Sequence, residues 1–292
     1  MANGIIIVDK PAGWTSQDVT AKLRGVFHER RIGHGGTLDP MATGVLPVFV
    51  GRATRAVPYF ESAEKEYVAG LRLGLVTNTQ DTTGETLEEH PVQVTEAQLR
   101  QTLTLTRFTG PQQQIPPMFS AVKIGGKKLY ELARKGKEVE RKPRSIEILE
   151  LELLEGSGAD WRIRVKCSKG TYIRTLCHDI GAALGCGGCM SSLRRTQAGI
   201  FPIDQAVALA DIVADPDAER LLLPTDRLFA DYPAVTVNAR QEELCRNGAA
   251  FTLRGLPTGF VRVYNETGEF LMLGKNRDGK LATEKSFFEV NT

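Results

Sequence analysis

The sequence predicts an α+β protein in two parts, a large domain over residues 1–230 and a small, mostly β domain over residues 231–292. Three observations point there. A chain of 292 residues exceeds what one small domain usually holds. Strand-like apolar runs and helix-spaced apolar residues both recur through the first part. Beyond Tyr232-Pro233 the chain reads as one short helix followed by a hairpin.

The elements follow in order. Residues 4–8 (GIIIV) form a short buried strand stopped by Lys10-Pro11. Ser16 reads as the N-cap of a helix carrying Val19, Leu23, Val26 and Phe27 at helical spacing. Residues 44–51 (GVLPVFVG) form a strand, and alternation of Tyr67, Ala69, Leu71 and Leu73 marks a half-buried one. Thr95 and Gln98 fit a capping box opening a helix through Leu99 and Leu103. Residues 110–145 break the rhythm with Pro111, Pro116, Pro117, Gly125-Gly126 and a short helix near 129–135; they read as a basic insertion reaching out from the body. Residues 146–154 and 161–169 make a hairpin with a somewhat long loop around Gly156-Ser157-Gly158. Residues 172–184 form a helix with Ile173, Leu176, Ile180 and Leu184 on one face and Gly185 at its end. In the tail, residues 239–247 are a short helix, and 259–264 with 269–274 a hairpin turned at Glu266-Thr267-Gly268.

The charges are balanced overall, at a net +2, but not evenly spread. Residues 123–144 hold nine basic side chains against three acidic ones, and residues 162–195 hold seven against Asp179 alone. Residues 204–231 are acidic. This separation predicts one basic face suited to a polyanion such as nucleic acid, against the plainer reading of solvated surface lysines. No apolar stretch reaches the roughly 18 residues of a membrane span, and no secretory signal is visible at the start, so the expected location is cytoplasmic. The five cysteines do not form a disulfide framework. Cys186-Gly187-Gly188-Cys189 has no second such pair, and small buried hydrophobes explain these cysteines better than zinc. Gly274 to Lys280 has phosphate-loop spacing, but Leu281 stands where Ser or Thr must bind magnesium. Ser120-Ala121-Val122-Lys123 lacks the companion motifs of Ser–Lys enzymes. No dinucleotide fingerprint or Gly-x-Ser-x-Gly elbow appears, so redox and nucleotide-dependent chemistry have no support.

What remains is RIGHGGTLDPMATGVLP over residues 31–47. Gly33, Gly35, Gly36 and Gly44 allow the backbone to approach a ligand, and Pro40 holds Asp39 out of a helix. On its own an Asp-Pro in a loop is more often a turn. The segment resembles the signature of the TruB-type tRNA pseudouridine-55 synthases at Gly33, His34, Gly36, Leu38, Asp39, Pro40, Ala42, Gly44, Leu46 and Pro47. Further matches follow in order: Val8 to Ser16, Lys65-Glu66-Tyr67 with Leu73-Gly74, Thr77 to Gly84, Pro116 to Lys123, Cys167 to Arg174, and Leu193-Arg194-Arg195-Thr196. The likeness covers residues 4 to about 205. Asn78 departs from the family's frequent Asp, outside the catalytic group.

The resemblance implies a pseudouridine synthase fold: a mixed, largely antiparallel central sheet flanked by helices, with an RNA-binding insertion and a small PUA-like RNA-binding domain at the end. It implies isomerisation of uridine 55 in the tRNA T loop with Asp39 as nucleophile and no cofactor or metal. Arg174 would pair with Asp39 and keep it ionised, with Asp81 in the same network. Tyr67 would stack on a flipped-out base, and Tyr172 would face it as proton acceptor. His34, Leu193, Gly36, Lys10, Lys123, Lys127 and Lys128 would contact the substrate, His34 filling the space the base vacates, with Lys10 and Pro11 better suited to bracing the active-site loop. The expected partner is the T arm of tRNA, met by a monomer with no obligatory protein partner. A binding-only tRNA chaperone and a guide-RNA-dependent H/ACA-type synthase are the rival readings; the long insertion and short C-terminus favour the stand-alone enzyme.

Overall fold

The structure is a computed structural model that describes residues 1–289. The apolar run at the start is β1 (Gly4–Lys10), two residues longer than expected. Its alternation divides it between two cores: Ile6 and Val8 face one side of the sheet, Ile5 and Ile7 the other. α1 (Ser16–Phe27) follows, and its cap corrects the expectation. Thr15 is the N-cap, its hydroxyl accepting from the Asp18 amide at 3.0 Å while the Asp18 carboxylate accepts from the Thr15 amide at 2.9 Å. Ser16 is buried instead, its hydroxyl accepting from the Leu38 amide at 2.8 Å.

β2 (Ile32–His34) and β3 (Thr43–Val50) bracket the glycine-rich loop. Then come α2 (Val57–Glu61), β4 (Lys65–Leu73), a small ribbon of β5 (Leu75–Thr77) and β6 (Thr86–Glu89), and α3 (Glu96–Leu103), opened by the predicted box of Thr95 and Gln98. The segment expected to leave the body at residue 110 begins inside it. β7 (Gly110–Gln114) pairs along its whole length with a later strand, because its backbone groups complete the sheet edge. Only beyond it do β8 (Lys123–Ile124), β9 (Lys127–Lys128) and α4 (Leu129–Ala133) form a separate hairpin and helix.

β10 (Arg144–Ser157) and β11 (Asp160–Cys167) pair until Ser157 meets Asp160, so the loop is a two-residue turn and shorter than expected. α5 (Ile173–Ala183), β12 (Gly188–Ala198), β13 (Phe201–Pro202), β14 (Val207–Ala208) and α6 (Leu209–Ala214) complete the body. The main sheet runs β14-β1-β3-β12-β4-β11-β10-β7, with β2 beside β3 and β13 beside β12. It is mixed and mostly antiparallel; only β1 with β14 and β3 with β12 are parallel.

The tail forms a second sheet. β15 (Ala234–Thr236), α7 (Ala239–Arg246), β16 (Phe251–Thr252), β17 (Gly259–Tyr264), β18 (Phe270–Arg277) and β19 (Lys280–Ser286) give the strand order β15-β17-β18-β19-β16. Phe229, Leu273 and Phe287 pack with Phe49 and Phe60 of the body, and Arg55 donates to the Ser286 carbonyl at 3.0 Å. No described helix is long and apolar enough to cross a membrane. All five cysteines are buried, and burial pushes the Cys167 and Cys189 thiols up to about 11.

The second basic run does not form the expected open basic face. Arg164 meets Glu66, Glu150 and Glu152 at 2.9–3.0 Å, Arg162 meets Glu155 at 2.7 Å, and Arg194 meets Asp9 at 2.7 Å. Arg174 and Arg195 are buried. Cross-strand neighbours on the sheet neutralise charges that a linear count treats as free.

Candidate active site

A cleft of about 540 Å³ opens where the loop after β2, the start of β4, the middle of β12 and the start of α5 converge. It suits a ligand the size of one nucleotide. Its walls include His34, Gly36, Asp39, Tyr67, Tyr172, Arg174 and Leu193. Seven residues proposed from sequence therefore meet in one place. A second cavity of about 430 Å³ lies between Phe60, Phe229 and Tyr232, and its walls carry no cationic side chain.

Hydrogen bonds on both sides hold the Asp39 backbone. The Leu38 amide donates to buried Ser16, the Ala42 amide donates to the Asp39 carbonyl at 3.0 Å, and the Gly13 amide donates to the Pro40 carbonyl at 2.8 Å. Lys10 lies beneath this loop. It is 0 % exposed, and its Nζ donates to the carbonyls of Pro11, Trp14 and Pro40. It braces the loop and lies outside the cleft lining. Burial, the largest cause, lowers its pKa to about 8.

The Asp39 carboxylate accepts from Arg174 Nε at 3.0 Å. Its side chain is 39 % exposed, open to the cleft on one side and enclosed by protein on the others. That enclosure raises its pKa above the ordinary value; Arg174 opposes the rise and Asp81 adds to it. Arg174 is 6 % exposed and also donates to Asp81 at 3.4 Å and to the carbonyls of Thr79 and Phe119. Asp81 is held by the Thr79 hydroxyl and the Thr83 amide, and Gln80 beside it adopts φ 62° while accepting from Thr175. Asp81 does not line the cleft. It is a positioning residue that fixes Arg174.

Tyr67 and Leu193 face the cleft from adjacent strands, with Tyr67 paired to Arg195 and Ala69 to Leu193. Burial raises the Tyr67 pKa, with Arg195 opposing, so the phenol stays neutral near pH 7. Burial and then Arg195 lower the His34 pKa, and among the described residues its buried Nδ1 has no partner. Tyr172 precedes α5 and is pinned by a residue the sequence did not reveal. Gln114 of β7 accepts from the Tyr172 amide at 2.8 Å and donates to its carbonyl at 3.1 Å. Gln114→Leu should therefore cost about 1–3 kcal/mol of stability in urea unfolding; an unchanged midpoint would contradict this bond's role.

Two buried cations of the cleft, Lys65 and Arg195, had no role assigned from sequence. Strand periodicity was the signal: Lys65 lies two residues before Tyr67, and Arg195 two after Leu193, so each shares its neighbour's face. Gly44 makes room for Arg195. It has φ 99°, and a Cβ there would fall 2.2 Å from the Arg195 carbonyl oxygen. Lys123, Lys127 and Lys128 stand away from the cleft on the β8–β9 hairpin, with Lys128 over the Tyr130 ring.

Comparison with known proteins agrees with this arrangement. Residues 24–173 match the TruB family pseudouridylate synthase N-terminal domain, and residues 174–230 the tRNA pseudouridylate synthase B C-terminal domain. The chain is 45% identical over 283 residues to tRNA pseudouridine synthase B of Syntrophomonas wolfei, covering 94% of this chain and 93% of that one. It is 42% identical to the protein of that name from Pseudomonas fluorescens, covering 97% and 95%. A chain of a Cbf5-Nop10-Gar1 complex superposes with a TM-score of 0.73 at 30% identity, covering 98% of this chain and 85% of that one. A chain of an H/ACA RNP bound to a substrate RNA containing 2'-deoxyuridine gives a TM-score of 0.73 at 27% identity, covering 99% and 86%. With both halves of the body matched and relatives aligned nearly end to end, the chain belongs to the TruB family of pseudouridylate synthases.

Proposed function

We propose that the protein acts alone in the cytoplasm, as a monomer, to convert uridine 55 in the T loop of tRNA to pseudouridine. The observation that carries this reading is the Asp39 carboxylate, ion-paired to buried Arg174 on the wall of a nucleotide-sized cleft. The relatives named for tRNA support the substrate.

The reaction breaks the C1′–N1 bond, turns the uracil and joins C1′ to C5. The C5 proton leaves and N1 gains one, so nothing is oxidised or hydrolysed on balance. It needs a nucleophile, a surface that holds the turning base, and exclusion of water. Asp39 supplies the nucleophile, and Arg174 pairs with it and opposes the rise in pKa that enclosure causes. Neutral Tyr67 offers a ring against which the base stacks, and Leu193 closes the wall beside it. Tyr172 faces the base as proton acceptor. The nucleotide must leave its stack, at a cost on the order of a few kcal/mol. His34, on the wall of the same cleft, fills the space that the base vacates.

Residues 1–230 form the catalytic part and 231–292 an RNA-binding part, with the basic β8–β9 hairpin gripping phosphates. Replacing Lys127, Lys128 and Lys135 with Ala should weaken tRNA binding, and log Kd against log salt should flatten by roughly 0.9 for each phosphate no longer neutralised. An unchanged slope would remove the hairpin from the interface.

The stand-alone reading is tested with unmodified tRNA and purified protein only. Pseudouridine is expected without added RNA or protein. Activity appearing only with a guide RNA would favour the H/ACA-type alternative, and tRNA refolding without product would favour a chaperone.

A further inference from the structure

Buried cations in this fold can be accounted for donor by donor. Lys10 spends its three donors on three carbonyls. Arg174 meets two carboxylates and two carbonyls. Arg195 and Lys65 differ. Arg195 is 1 % exposed; its Nε donates to the Val45 carbonyl at 2.6 Å and its Nη2 to the Gly36 carbonyl at 3.2 Å, its guanidinium also lies against the Tyr67 hydroxyl, and among the described residues Nη1 has no carboxylate or carbonyl partner. Lys65 is 7 % exposed and donates to the carbonyls of Glu61 and Ala63, leaving a third donor unused. Among the described residues neither has a carboxylate in ion-pair contact, whereas Arg174 and Arg194 each do. Glu61 lies on the same wall, but its carboxylate is exposed and makes no ion pair with Lys65.

The two cations converge on one space. A Cβ built on Gly36 would meet Arg195 Nη1 at 3.6 Å and Lys65 Cε at 3.8 Å. Gly36 has φ 100°, so glycine both suits the backbone and leaves this space open. Two like charges, buried side by side without a counter-ion, are costly. Burial and the neighbouring Arg195 push Lys65 down to about 8, which registers that cost. Lys169, exposed on the rim of the same cleft, adds a third cation.

We infer that the space over Gly36, between Arg195 and Lys65, is a subsite for a phosphodiester of the RNA strand next to the reacting nucleotide, with Lys169 as its outer contact. An anion completes the unused donors, and the guanidinium fork matches phosphate oxygens. A neutral base edge would leave both charges uncompensated. The subsite rests on the RNA-modifying function proposed above.

The test neutralises phosphates one at a time. A T-arm RNA stem–loop is prepared with single methylphosphonate linkages, and its affinity is measured for the wild type, Lys65→Met and Lys169→Gln. Pseudouridine formation by the wild type on the unsubstituted stem–loop is measured first; its absence counts against the proposed function. Given product, one linkage beside the target uridine should weaken wild-type binding about tenfold when neutralised. The same replacement should matter several-fold less in both variants, because the interaction is already weakened. Lys169 is exposed, so Lys169→Gln keeps the test decisive if Lys65→Met fails to fold. Equal sensitivity in the wild type and the folded variants, or no charge-sensitive linkage near the target, would overturn the subsite while leaving the function standing.

Discussion

Asp39→Asn is expected to lower turnover by at least about 10⁴-fold while changing tRNA affinity by less than about threefold. The substitution keeps the shape of a side chain that reaches the cleft and removes the charge proposed as the nucleophile. Single-turnover kinetics and a binding isotherm separate the two effects. The same variant should be more stable than the wild type near pH 7. Asp39's pKa is raised in the fold, chiefly by enclosure. The folded state therefore holds this proton at pH values where the unfolded chain has lost it. Its contribution is fully present below the unfolded value near 3.8 and is lost as pH rises through the folded value. Asn carries no such charge, so its advantage should appear at neutral pH and vanish in strong acid. Urea midpoints across pH would show this, and a less stable variant near pH 7 would contradict it.

Arg174→Met should be severe in a different way. Arg174 and Asp81 are each 6 % exposed, so removing the arginine leaves Asp81 buried without its cation, at a cost of about 3–5 kcal/mol. Asp39 then loses the group that opposes its raised pKa. If the ionised carboxylate is the nucleophile, as proposed, activity rises with pH through that pKa, so the acid limb of kcat/KM should move to higher pH. A merely structural role would lower the protein's stability without moving the limb. Arg174→Lys should restore part of the profile, since one ammonium cannot serve Asp39, Asp81 and two carbonyls with the arginine's geometry.

The sequence made the fold legible where one local rule was sufficient. The apolar run of β1, the alternation in β4 and the Thr95 box each formed as read. It misled where a partner distant in sequence decides. Ser16 looks like a cap until Leu38 claims its hydroxyl. Residues 110–114 look like part of an outward excursion until β10 pairs with them. The charge run at 162–195 looks free until Glu66, Glu150 and Glu152 lie beside Arg164.

The site shows the same division. Asp39, Tyr67, Tyr172, Arg174, His34, Gly36 and Leu193 were found through their motif, and the fold brings them to one cleft. Lys10 and Asp81 belong to the same motifs but act from behind, one under the loop and one behind Arg174. No motif separates a residue that touches the cleft from one that supports it. Gln114 carries no local signal, because its partner Tyr172 lies 58 residues away. Lys65 and Arg195 were legible in principle from strand periodicity, but their burial became evident only when β3, β4 and β12 were assembled.

The role of Asp39 is tested most directly with tRNA transcribed from uridine tritiated at C5. Joining C5 to the sugar expels that hydrogen, so tritium enters water only where pseudouridine forms. Wild-type protein alone should release about one equivalent per tRNA, mapped to uridine 55 of the T loop, and Asp39→Asn should release none over the same period. Release by Asp39→Asn at a rate near that of the wild type would show that the carboxylate of Asp39 is not the reacting group.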